Sequence, residues 1–410
     1  MGDDMKYRFQ TDIPKKEYDA FVEKSQYVSF LQEAAWASVK NNWESIRCGL
    51  YSKNKLLAVC LVLVKKLPLG LCLFYVPRGY VIDYLDQELL QQFTLGLKDF
   101  AKQRHAYAIK IDPNFCVAET SSLVLDHKDE AIPHTYSVSF DKKHQLLLEL
   151  GYRHQGYKKK IVDYMQPRFQ MVIPLIQADG ERKNIDQVRS SFKKRIRSYL
   201  GDYHNKRGVF YEYTNRVEDL DQFMELVHIT EERQNIRLRN RDYFARILEN
   251  YDAAIFFGKL DLEKYRQFLI ETNGSEEDLR TVEQLMDEGR KTMTLSTALV
   301  IFPSCQSGRM SEYLYAANHL LFPKLQVSIG LVYEICRVSI EKNCDYCNLG
   351  GVEGTLDDHL TTFKSRFNSI ILEYAGEYDY VVRKFWYYPI TVLLPLAKRI
   401  YRKIVHVFHS

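Results

Sequence analysis

The chain has 410 residues, more than one compact core usually holds, so we expect two domains. Hydrophobic residues make up 46% of the chain and charged residues 27%, which excludes a largely disordered protein. The net charge of +4 is too small to predict a partner by itself. The first residues contain no apolar signal-peptide core, and no apolar run reaches the roughly 20 residues of a membrane-spanning helix.

The first half of the chain predicts an alternation of strands and helices. A strand and two helices are followed by strands near 44–52 and 55–66, which a turn at Lys53-Asn54 joins. Another strand near 71–79 precedes an amphipathic helix between Asp86 and Arg104, and a buried strand follows at 106–113. This pattern is typical of a mixed α/β domain.

The second half repeats this order of elements without sequence identity, which indicates a duplicated fold. It begins with a basic helix from about Asp186 to Lys206. A charged segment at 262–291 predicts a helical hairpin that turns at Asn273–Ser275, with Ser275 capping the second helix. We expect this hairpin to project from the domain, either as a solvated excursion or as a binding arm.

Eight cysteines are scattered through the chain, mostly within apolar runs. Cys344 and Cys347 have C-x-x-C spacing, but no second cysteine pair or histidine pair stands nearby. We therefore predict no metal site and no cofactor. Unpaired cysteines of this kind fit the reducing environment of the cytoplasm.

The sequence lacks the phosphate-binding loop, the dinucleotide-binding turn, the H-E-x-x-H motif and the G-x-S-x-G motif. Covalent catalysis therefore has no support, and clusters of basic and aromatic residues remain. Trp36, Lys40 and Trp43 would share one face of a helix at i, i+4 and i+7. A lysine between two indoles would present its charge to a phosphate, although amphipathic packing explains the spacing equally well.

Two further clusters are strongly basic. Arg237, Arg239 and Arg241 occupy alternate positions before Tyr243 and predict an anion site, with a solvated loop as the alternative. The segment 182–207 has nine basic and two acidic residues, a density that suggests a nucleic-acid backbone, although a solvated helix face would also carry it. Its central cations are Lys193, Lys194, Arg195 and Arg197.

Two segments near the C-terminus also carry chemistry. Leu349-Gly350-Gly351 would let a ligand approach a strand end, and Phe363-Lys364 pairs an oxyanion-stabilising cation with a ring that stacks on a base. Residues 383–410 contain no acid and interleave aromatic, aliphatic and basic residues. This segment suits the surface of an anionic membrane through Lys398, Arg399, Arg402 and Lys403, with a packed terminal helix as the alternative.

At these clusters the sequence resembles the Fem/MurM (FemABX) family, the aminoacyl-tRNA-dependent ligases that build peptidoglycan branches and interpeptide bridges. The resemblance covers nearly the whole chain. The segments that carry it are, in order, AWASVKNNW, YVPRG, AYAIKIDP, MQPRFQMVI, RLRNRDYF, EYLYAAN, NLGG and FKSRF.

The resemblance implies an α/β fold of two GNAT-like (acyl-CoA N-acyltransferase-like) domains with a short helical-hairpin insertion. The first domain would comprise 1–167 plus 375–410, and the second 168–374 with the helical arm at 262–291. It also implies transfer of alanine, serine or glycine from aminoacyl-tRNA to the L-lysine side-chain amine of lipid II or UDP-MurNAc-pentapeptide. The enzyme would work in the cytoplasm, at the surface of the inner membrane, and without ATP.

The resemblance further implies roles for single residues. Lys40 and Arg239 match residues that hold the diphosphate of the precursor. The remaining acceptor-binding residues would be Trp43, Arg78, Tyr107, Tyr243 and Tyr315. Asp112 matches an acid near the acceptor peptide, and Lys364, with its neighbour Phe363, matches the lysine that supports the tRNA end and the charged intermediate. Asn348 departs from the pattern, since some members have aspartate there.

Two other functions remain open from the sequence. One is a coenzyme-A-dependent N-acyltransferase of the GNAT type, which would need a glycine-rich turn before a helix, and neither half shows a clear one. The other is a non-catalytic protein that binds tRNA or a membrane through its basic segments.

Overall fold

The computed structural model describes residues 6–26, 29–126, 135–303 and 309–393. The chain forms two compact units, each assembled from separate segments. The first takes in Met1–Ala118, Tyr136–Arg168 and Tyr374–Ser410, and the second Glu119–Thr135 and Phe169–Glu373. The predicted domain boundaries placed 119–135 in the first domain, whereas the strands Cys116–Ser121 and Thr135–Tyr136, at the two ends of this segment, join the sheet of the second unit.

The helices and strands alternate along the chain. Up to residue 154 they are β1 (Arg8–Gln10), α1 (Lys15–Lys24), α2 (Ala35–Val39), β2 (Glu44–Ser52), β3 (Lys55–Lys66), β4 (Cys72–Val76), α3 (Gln87–Gln103), β5 (Ala106–Ile111), β6 (Cys116–Ser121), β7 (Thr135–Tyr136), α4 (Phe140–Glu149) and β8 (Tyr152–His154).

The second half begins at β9 (Phe169–Pro174) and continues with α5 (Ile185–Ser191), α6 (Lys194–Arg197), α7 (Asp202–Lys206), β10 (Val209–Thr214), α8 (Leu220–Gln234), α9 (Arg241–Asn250), β11 (Ala253–Asp261), α10 (Leu262–Glu271), α11 (Glu276–Asp287), β12 (Thr292–Ile301), β13 (Met310–Asn318), α12 (Val327–Glu341), β14 (Tyr346–Val352), α13 (His359–Ser365) and β15 (Ile370–Tyr374). The chain then returns to the first unit with β16 (Tyr378–Val381) and α14 (Lys384–Tyr388).

Among the described residues, the first unit contains a seven-stranded sheet in the order β1-β2-β3-β4-β5-β16-β8. Its neighbours run antiparallel except β4 and β5, which are parallel because α3 carries the chain back between them. β2 and β3 begin and end at the predicted residues. The C-terminal strand β16 lies between β5 and β8, so the last part of the chain completes this sheet.

Within the described residues, the second unit contains a nine-stranded sheet in the order β10-β11-β12-β13-β14-β9-β15-β6-β7. Here β10 to β13 run antiparallel, α12 returns the chain, and β14 lies parallel to β13. The first unit has the same succession of antiparallel strands, helix and parallel strand. The predicted fold class, α/β with two related sheets, is confirmed.

Helix α3 shows how the core of the first unit is built. Asp86 caps its N-terminus by accepting a hydrogen bond from the amide of Leu89 at 3.0 Å. Leu90, Phe93 and Leu97 recur at helical spacing, and all three side chains are fully buried against the sheet. The amphipathic helix predicted between Asp86 and Arg104 is therefore present.

The helical hairpin is present, but it does not project freely from the second unit. Ser275 caps α11 as predicted, accepting a hydrogen bond from the amide of Asp278 at 3.2 Å. Tyr265 and Leu269 on α10 and Val282 on α11 are buried in one hydrophobic cluster with residues of β10, β11 and β12. Apart from the exposed Ile270, the segment's sparse apolar residues pack toward the sheet, and the rest of its surface is charged, which is why its composition suggested a solvated arm.

The predicted basic helix from Asp186 to Lys206 is wrong, because the structure breaks it into α5, α6 and α7. Phe192 adopts an extended conformation (φ −73°, ψ 155°) and buries its ring against Phe367 at 5.1 Å between centroids. Gly201 has φ +72°, which ends the next helical turn. Burial of one aromatic ring therefore overrides a local helical pattern.

The predicted helical face of Trp36, Lys40 and Trp43 is also wrong. Helix α2 ends at Val39, Lys40 is its C-cap, and the amide of Trp43 donates to the Lys40 carbonyl at 3.0 Å within a turn. Lys398, Arg399, Arg402 and Lys403 lie outside the described residues. Among the described helices, none has the length and hydrophobicity required to cross a bilayer.

Gly96 makes close packing of β1 on α3 possible, and this generates a prediction. A Cβ atom at Gly96 would overlap the ring of Phe9, which packs edge-on against Phe93 at 5.7 Å. Alanine favours a helix by about 1 kcal/mol over glycine. We nevertheless expect Gly96→Ala to destabilise the protein by about 1–3 kcal/mol in urea unfolding, because the ring must move.

The matched control is Gln91→Ala on the exposed side of the same helix, for which we expect a change within about 0.5 kcal/mol. A Gly96→Ala protein at least as stable as the original would contradict this account of the packing.

Candidate functional site

Asp112 directly follows the last residue of β5, beside the end of its parallel neighbour β4. Its carboxylate accepts a hydrogen bond from the hydroxyl of Tyr75 at 2.7 Å and another from the backbone amide of Arg78 at 2.6 Å. The Asp112 side chain is 2% exposed. The end of the parallel pair thus holds one buried carboxyl in a fixed orientation.

Burial raises the pKa of Asp112 to about 6, although the positive charge of Arg78 and the two hydrogen bonds act in the opposite direction. The carboxyl therefore exchanges a proton close to neutral pH, which an exposed aspartate does not do. Such a group can accept a proton from a substrate and release it to water.

Arg78 is held beside Asp112 by its packing. Its guanidinium lies 3.8 Å from the ring centroid of Tyr374 and donates to the carbonyl of Pro167 at 2.6 Å. The residue has φ +50°, a left-handed conformation that costs a side chain about 1 kcal/mol. Strain of this kind is tolerated where a side chain must point in a particular direction, and here it places a cation beside a carboxyl.

Trp43 adjoins the same group of residues. Its ring packs edge-on against the ring of Tyr75, with 6.3 Å between centroids. Lys40 lies with its Nζ atom 6.0 Å from the ring of Trp36. The structure therefore connects Trp43 to Asp112 through Tyr75, an arrangement that the predicted helix would not have produced.

Tyr107 is buried in the first unit, with its ring 6.4 Å from that of Tyr387, and burial raises its pKa to about 12. Three charged residues that the sequence did not single out lie nearby: Lys110 on β5, Asp379 on β16 and Glu377 directly before β16. Lys110 places its Nζ atom 2.7 Å from Asp379 and 3.1 Å from Glu377. Burial alone would lower the pKa of Lys110, but the two carboxylates raise it.

A lysine within the strand AYAIKIDP was the only sequence signal for this charge cluster. Its partners lie 267 and 269 positions further along the chain, and no local pattern connects them. Glu377 also contributes to the raised pKa of Asp112. The cluster therefore belongs to the electrostatic surroundings of the candidate base.

In the second unit, β13 and β14 pair only between Met310–Glu312 and Tyr346–Asn348. β13 then continues along β12, while Gly351 and Val352 of β14 pair with β9. The two strands thus separate, and we call the opening the β13–β14 fork. The predicted Leu349-Gly350-Gly351 segment forms one side of it.

Asn348 holds the fork open. Its Oδ1 atom accepts from the amide of Gly350 at 2.8 Å, while its Nδ2 atom donates to Gln170 at 3.0 Å and to Glu312 at 2.8 Å. The residue is 1% exposed, so these bonds satisfy its buried amide. Gly350 adopts φ +83°, which a residue with a side chain rarely does.

Lys364, on α13, directs its amine toward the fork. Its Nζ atom donates to the carbonyl of Gly351 at 2.7 Å, and the residue is 5% exposed. Burial lowers the pKa of Lys364 to about 7, and Asp358 opposes this shift only in part. The neighbouring Phe363 packs its ring 5.4 Å from that of Phe367, so a half-buried aromatic face accompanies the amine.

Arg239 lies on the surface of the second unit, with its guanidinium 5.4 Å from the ring of Tyr243. The hydroxyl of Tyr315 donates to that of Tyr243 at 3.4 Å, and burial raises the pKa of Tyr243. A groove of about 870 Å³ borders Arg237, Arg239 and Arg241. The structure therefore brings together Arg239, Tyr243 and Tyr315, three of the predicted acceptor-binding residues.

The three arginines of this groove differ in their partners. Arg241 pairs with Asp221 at 2.6 Å. No ion pair to Arg237 or Arg239 forms among the residues that the structure describes, and both side chains are exposed. Two of the three predicted guanidinium groups are thus open to an anion.

The predicted tRNA-binding cations lie around α6. Lys194 and Arg195 are exposed and Arg197 is half-buried, all three on that short helix. Lys193 precedes it and forms an ion pair with Asp126 at 2.6 Å. The cations therefore cluster at the surface, although they do not follow one continuous helix.

The sequence matches the FemAB family over residues 13–288 and 271–394. The chain belongs to the FemAB family. This FemAB protein is 30% identical over 421 residues to the lipid II:glycine glycyltransferase of Staphylococcus aureus strain MRSA252, covering 91% of this chain and 92% of that one. The crystal structure of FemX superposes with a TM-score of 0.74 at 27% identity and covers 94% of this chain and 99% of that one.

The buried amine of Lys364 leads to a prediction about stability. Its folded pKa of about 7 lies below the value of about 10.4 for an unfolded lysine. The unfolded chain binds the additional proton between these values, so this residue makes stability rise with pH over that range. We expect Lys364→Met to stabilise the protein by on the order of 2–3 kcal/mol near pH 6.5, and by less near pH 9.

Urea unfolding at the two pH values measures this difference. Lys206→Met is the control, because the exposed Lys206 keeps its hydration on folding and should show no gain that depends on pH. An equal gain for Lys364→Met at both pH values would contradict the assignment of a buried, readily neutralised amine.

Proposed function

We propose that this FemAB protein is an aminoacyltransferase that moves alanine, serine or glycine from aminoacyl-tRNA to the lysine side-chain amine of the lipid II stem peptide. The observation that carries the proposal is the Lys364 amine, which is buried at the β13–β14 fork and donates to the backbone carbonyl of Gly351. The similarity to a lipid II:glycine glycyltransferase over 91% of the chain supports the acceptor.

The reaction requires little covalent chemistry from the protein. The lone pair of the acceptor nitrogen attacks the ester carbonyl carbon and a tetrahedral oxyanion forms. The bond to the ribose oxygen then breaks, and that oxygen takes up the proton that the nitrogen releases as the amide forms. Stabilising one developing negative charge and orienting two substrates are sufficient for such a step. We propose that Lys364 supplies the positive charge and that Phe363 supports the terminal base of the tRNA.

The nucleophile must first lose a proton, because a lysine amine is mostly protonated near neutral pH. We propose that Asp112 accepts it. The pKa of about 6 leaves Asp112 ionised at neutral pH, and its two hydrogen bonds fix its orientation. A ribose hydroxyl of the tRNA or a water molecule is the alternative acceptor.

The remaining predicted residues receive binding roles in this proposal. Lys40 and Arg239 would contact the diphosphate of the acceptor, while Trp43, Arg78, Tyr107, Tyr243 and Tyr315 would contact its sugar and peptide. The surface cations Lys193, Lys194, Arg195 and Arg197 would contact the tRNA backbone. Because lipid II is anchored in a membrane, we also propose that the enzyme associates peripherally with the cytoplasmic membrane.

The decisive experiment mixes purified full-length protein with lipid II and a panel of charged tRNAs. We expect the stem peptide to gain the mass of one amino acid with alanyl-, seryl- or glycyl-tRNA, and mass spectrometry identifies which. A parallel reaction uses radiolabelled acetyl-CoA. Acyl transfer from acetyl-CoA with none from any charged tRNA would replace the proposal with a coenzyme-A-dependent N-acyltransferase.

Lys364→Met serves as the matched variant in this assay, since its fold should be at least as stable. We expect it to bind lipid II as the original protein does and to lose turnover by about 10²–10³-fold, the usual effect of removing one oxyanion-stabilising group. Unchanged turnover in the variant would refute the role of Lys364. A chain that binds both substrates and transfers nothing would be a non-catalytic binding protein.

The role of Asp112 has its own test. Asn at this position can still accept from the amide of Arg78 but cannot take a proton, so we expect Asp112→Asn to lower kcat by about 10²-fold. The original enzyme should lose activity as pH falls through about 6, because the carboxylate becomes protonated. This acidic limb should be absent from the variant.

Tyr75→Phe is the control, because the Tyr75 hydrogen bond lowers the pKa of Asp112. Removing this hydrogen bond should move the acidic limb of the pH–activity profile to higher pH without abolishing it. An unaltered pH profile in Asp112→Asn would exclude Asp112 as the proton acceptor.

A further inference from the structure

The turn between β3 and β4 exposes an aliphatic side chain at its tip. Leu69 is 79% exposed and adopts φ +62°, followed by Gly70 at φ +68°. The amide of Leu67 donates to the carbonyl of Leu71 at 2.9 Å and closes the turn. Asparagine or glycine would adopt this conformation at lower cost, so neither turn geometry nor burial explains a leucine at this position.

Helix α14 exposes a second apolar group beside this turn. Phe385 is 79% exposed, whereas its neighbour Trp386 packs in a cluster with Ile390 and Leu67. Leu67 lies two residues before Leu69 on the turn. The turn and the helix are thus joined by a shared cluster, and each extends one large apolar side chain into solvent.

Cations flank both apolar groups. Lys65 and Lys66 precede the turn, and Arg383 and Lys384 stand at the start of α14. Lys66 pairs with Glu44 at 3.6 Å, the Nζ atom of Lys65 lies 5.6 Å from the ring centroid of Trp43, and Arg383 donates to the carbonyl of Lys102 at 3.1 Å. We name Leu69, Phe385 and these four cations, Lys65, Lys66, Arg383 and Lys384, the docking patch.

We propose that the docking patch binds the surface of an anionic phospholipid bilayer, with Leu69 and Phe385 inserted at the level of the acyl-chain boundary and the four cations among the headgroups. Exposed apolar side chains with lysine and arginine beside them in the chain match the chemistry of a lipid interface. A single-stranded nucleic acid would use flat rings for stacking, and of the two exposed apolar groups Phe385 offers a ring but Leu69 does not. The biological reason for docking rests on the proposed function, because that function requires a lipid-linked acceptor.

The test measures binding of the full-length protein to vesicles by sedimentation. We expect binding to vesicles of phosphatidylglycerol and phosphatidylcholine and little binding to phosphatidylcholine alone. The double variant Leu69→Asn, Phe385→Ser should bind at least about 10-fold more weakly, since burial of two apolar side chains is lost. Asparagine suits the left-handed position, so the fold is preserved.

The matched control is Leu320→Asn, which removes another exposed leucine (57% exposed) in the second unit and should bind as the original does. A direct readout attaches an environment-sensitive fluorophore to Leu69→Cys, whose emission should shift to shorter wavelength on anionic vesicles. Because neither measurement uses turnover, a failure of docking can be distinguished from a failure of the transferase proposal.

Three results would overturn the proposal. These are absence of binding to anionic vesicles, equal binding of the double variant and the original, or unchanged fluorescence on vesicles. If the double variant instead loses self-association in sedimentation velocity, or loses tRNA retention on a filter, the patch is a contact between copies or an RNA site and the bilayer assignment is wrong.

Discussion

The separation of two parallel strands is the constraint on which the chemistry of the second unit depends. Had β13 and β14 remained paired beyond Asn348, the edges of Gly350 and Gly351 that face β13 would have been used in strand pairing. Instead, Asn348 bonds to three partners and fixes the strands apart, which leaves a carbonyl for the Lys364 amine. A buried cation with a neutral partner is costly, and such a cost is typical of groups that act on a substrate.

Two lysines that are largely shielded from solvent show how the partners of an amine determine the direction of its pKa shift. Lys110 lies between two carboxylates, which raise its pKa and keep it charged, so it serves as a structural counter-ion. Among the described residues, the hydrogen-bond partner of the Lys364 amine is the Gly351 carbonyl, and burial lowers the pKa of Lys364 to about 7. The Lys110 side chain is 16% exposed and Lys364 is 5% exposed, and the pKa values of the two amines shift in opposite directions. The partner set, rather than the depth of burial, therefore distinguishes the candidate catalytic lysine from the structural one.

Local patterns predicted much of the fold, and non-local packing accounts for the errors. The bounds of β2 and β3 and the Ser275 cap were correct because strand alternation, turn residues and capping act within a few residues. The basic helix was wrong because Phe192 buries its ring against Phe367, a contact that no local periodicity reports. The Lys110 cluster was missed for the same reason. The residue roles came from a family resemblance, and spacing alone left each of them open.

Because β16 lies between β5 and β8, the order of synthesis determines when the first sheet can be completed. The position between β5 and the edge strand β8 stays empty until Tyr378–Val381 have been synthesised, so the residues of the second unit are made before this sheet is complete. Domains usually fold in order from the N-terminus during synthesis. Here the second unit, most of which is the continuous segment Phe169–Glu373, can fold first. Until β16 is added, β5 has an unpaired edge, and such an edge can pair with the wrong strand.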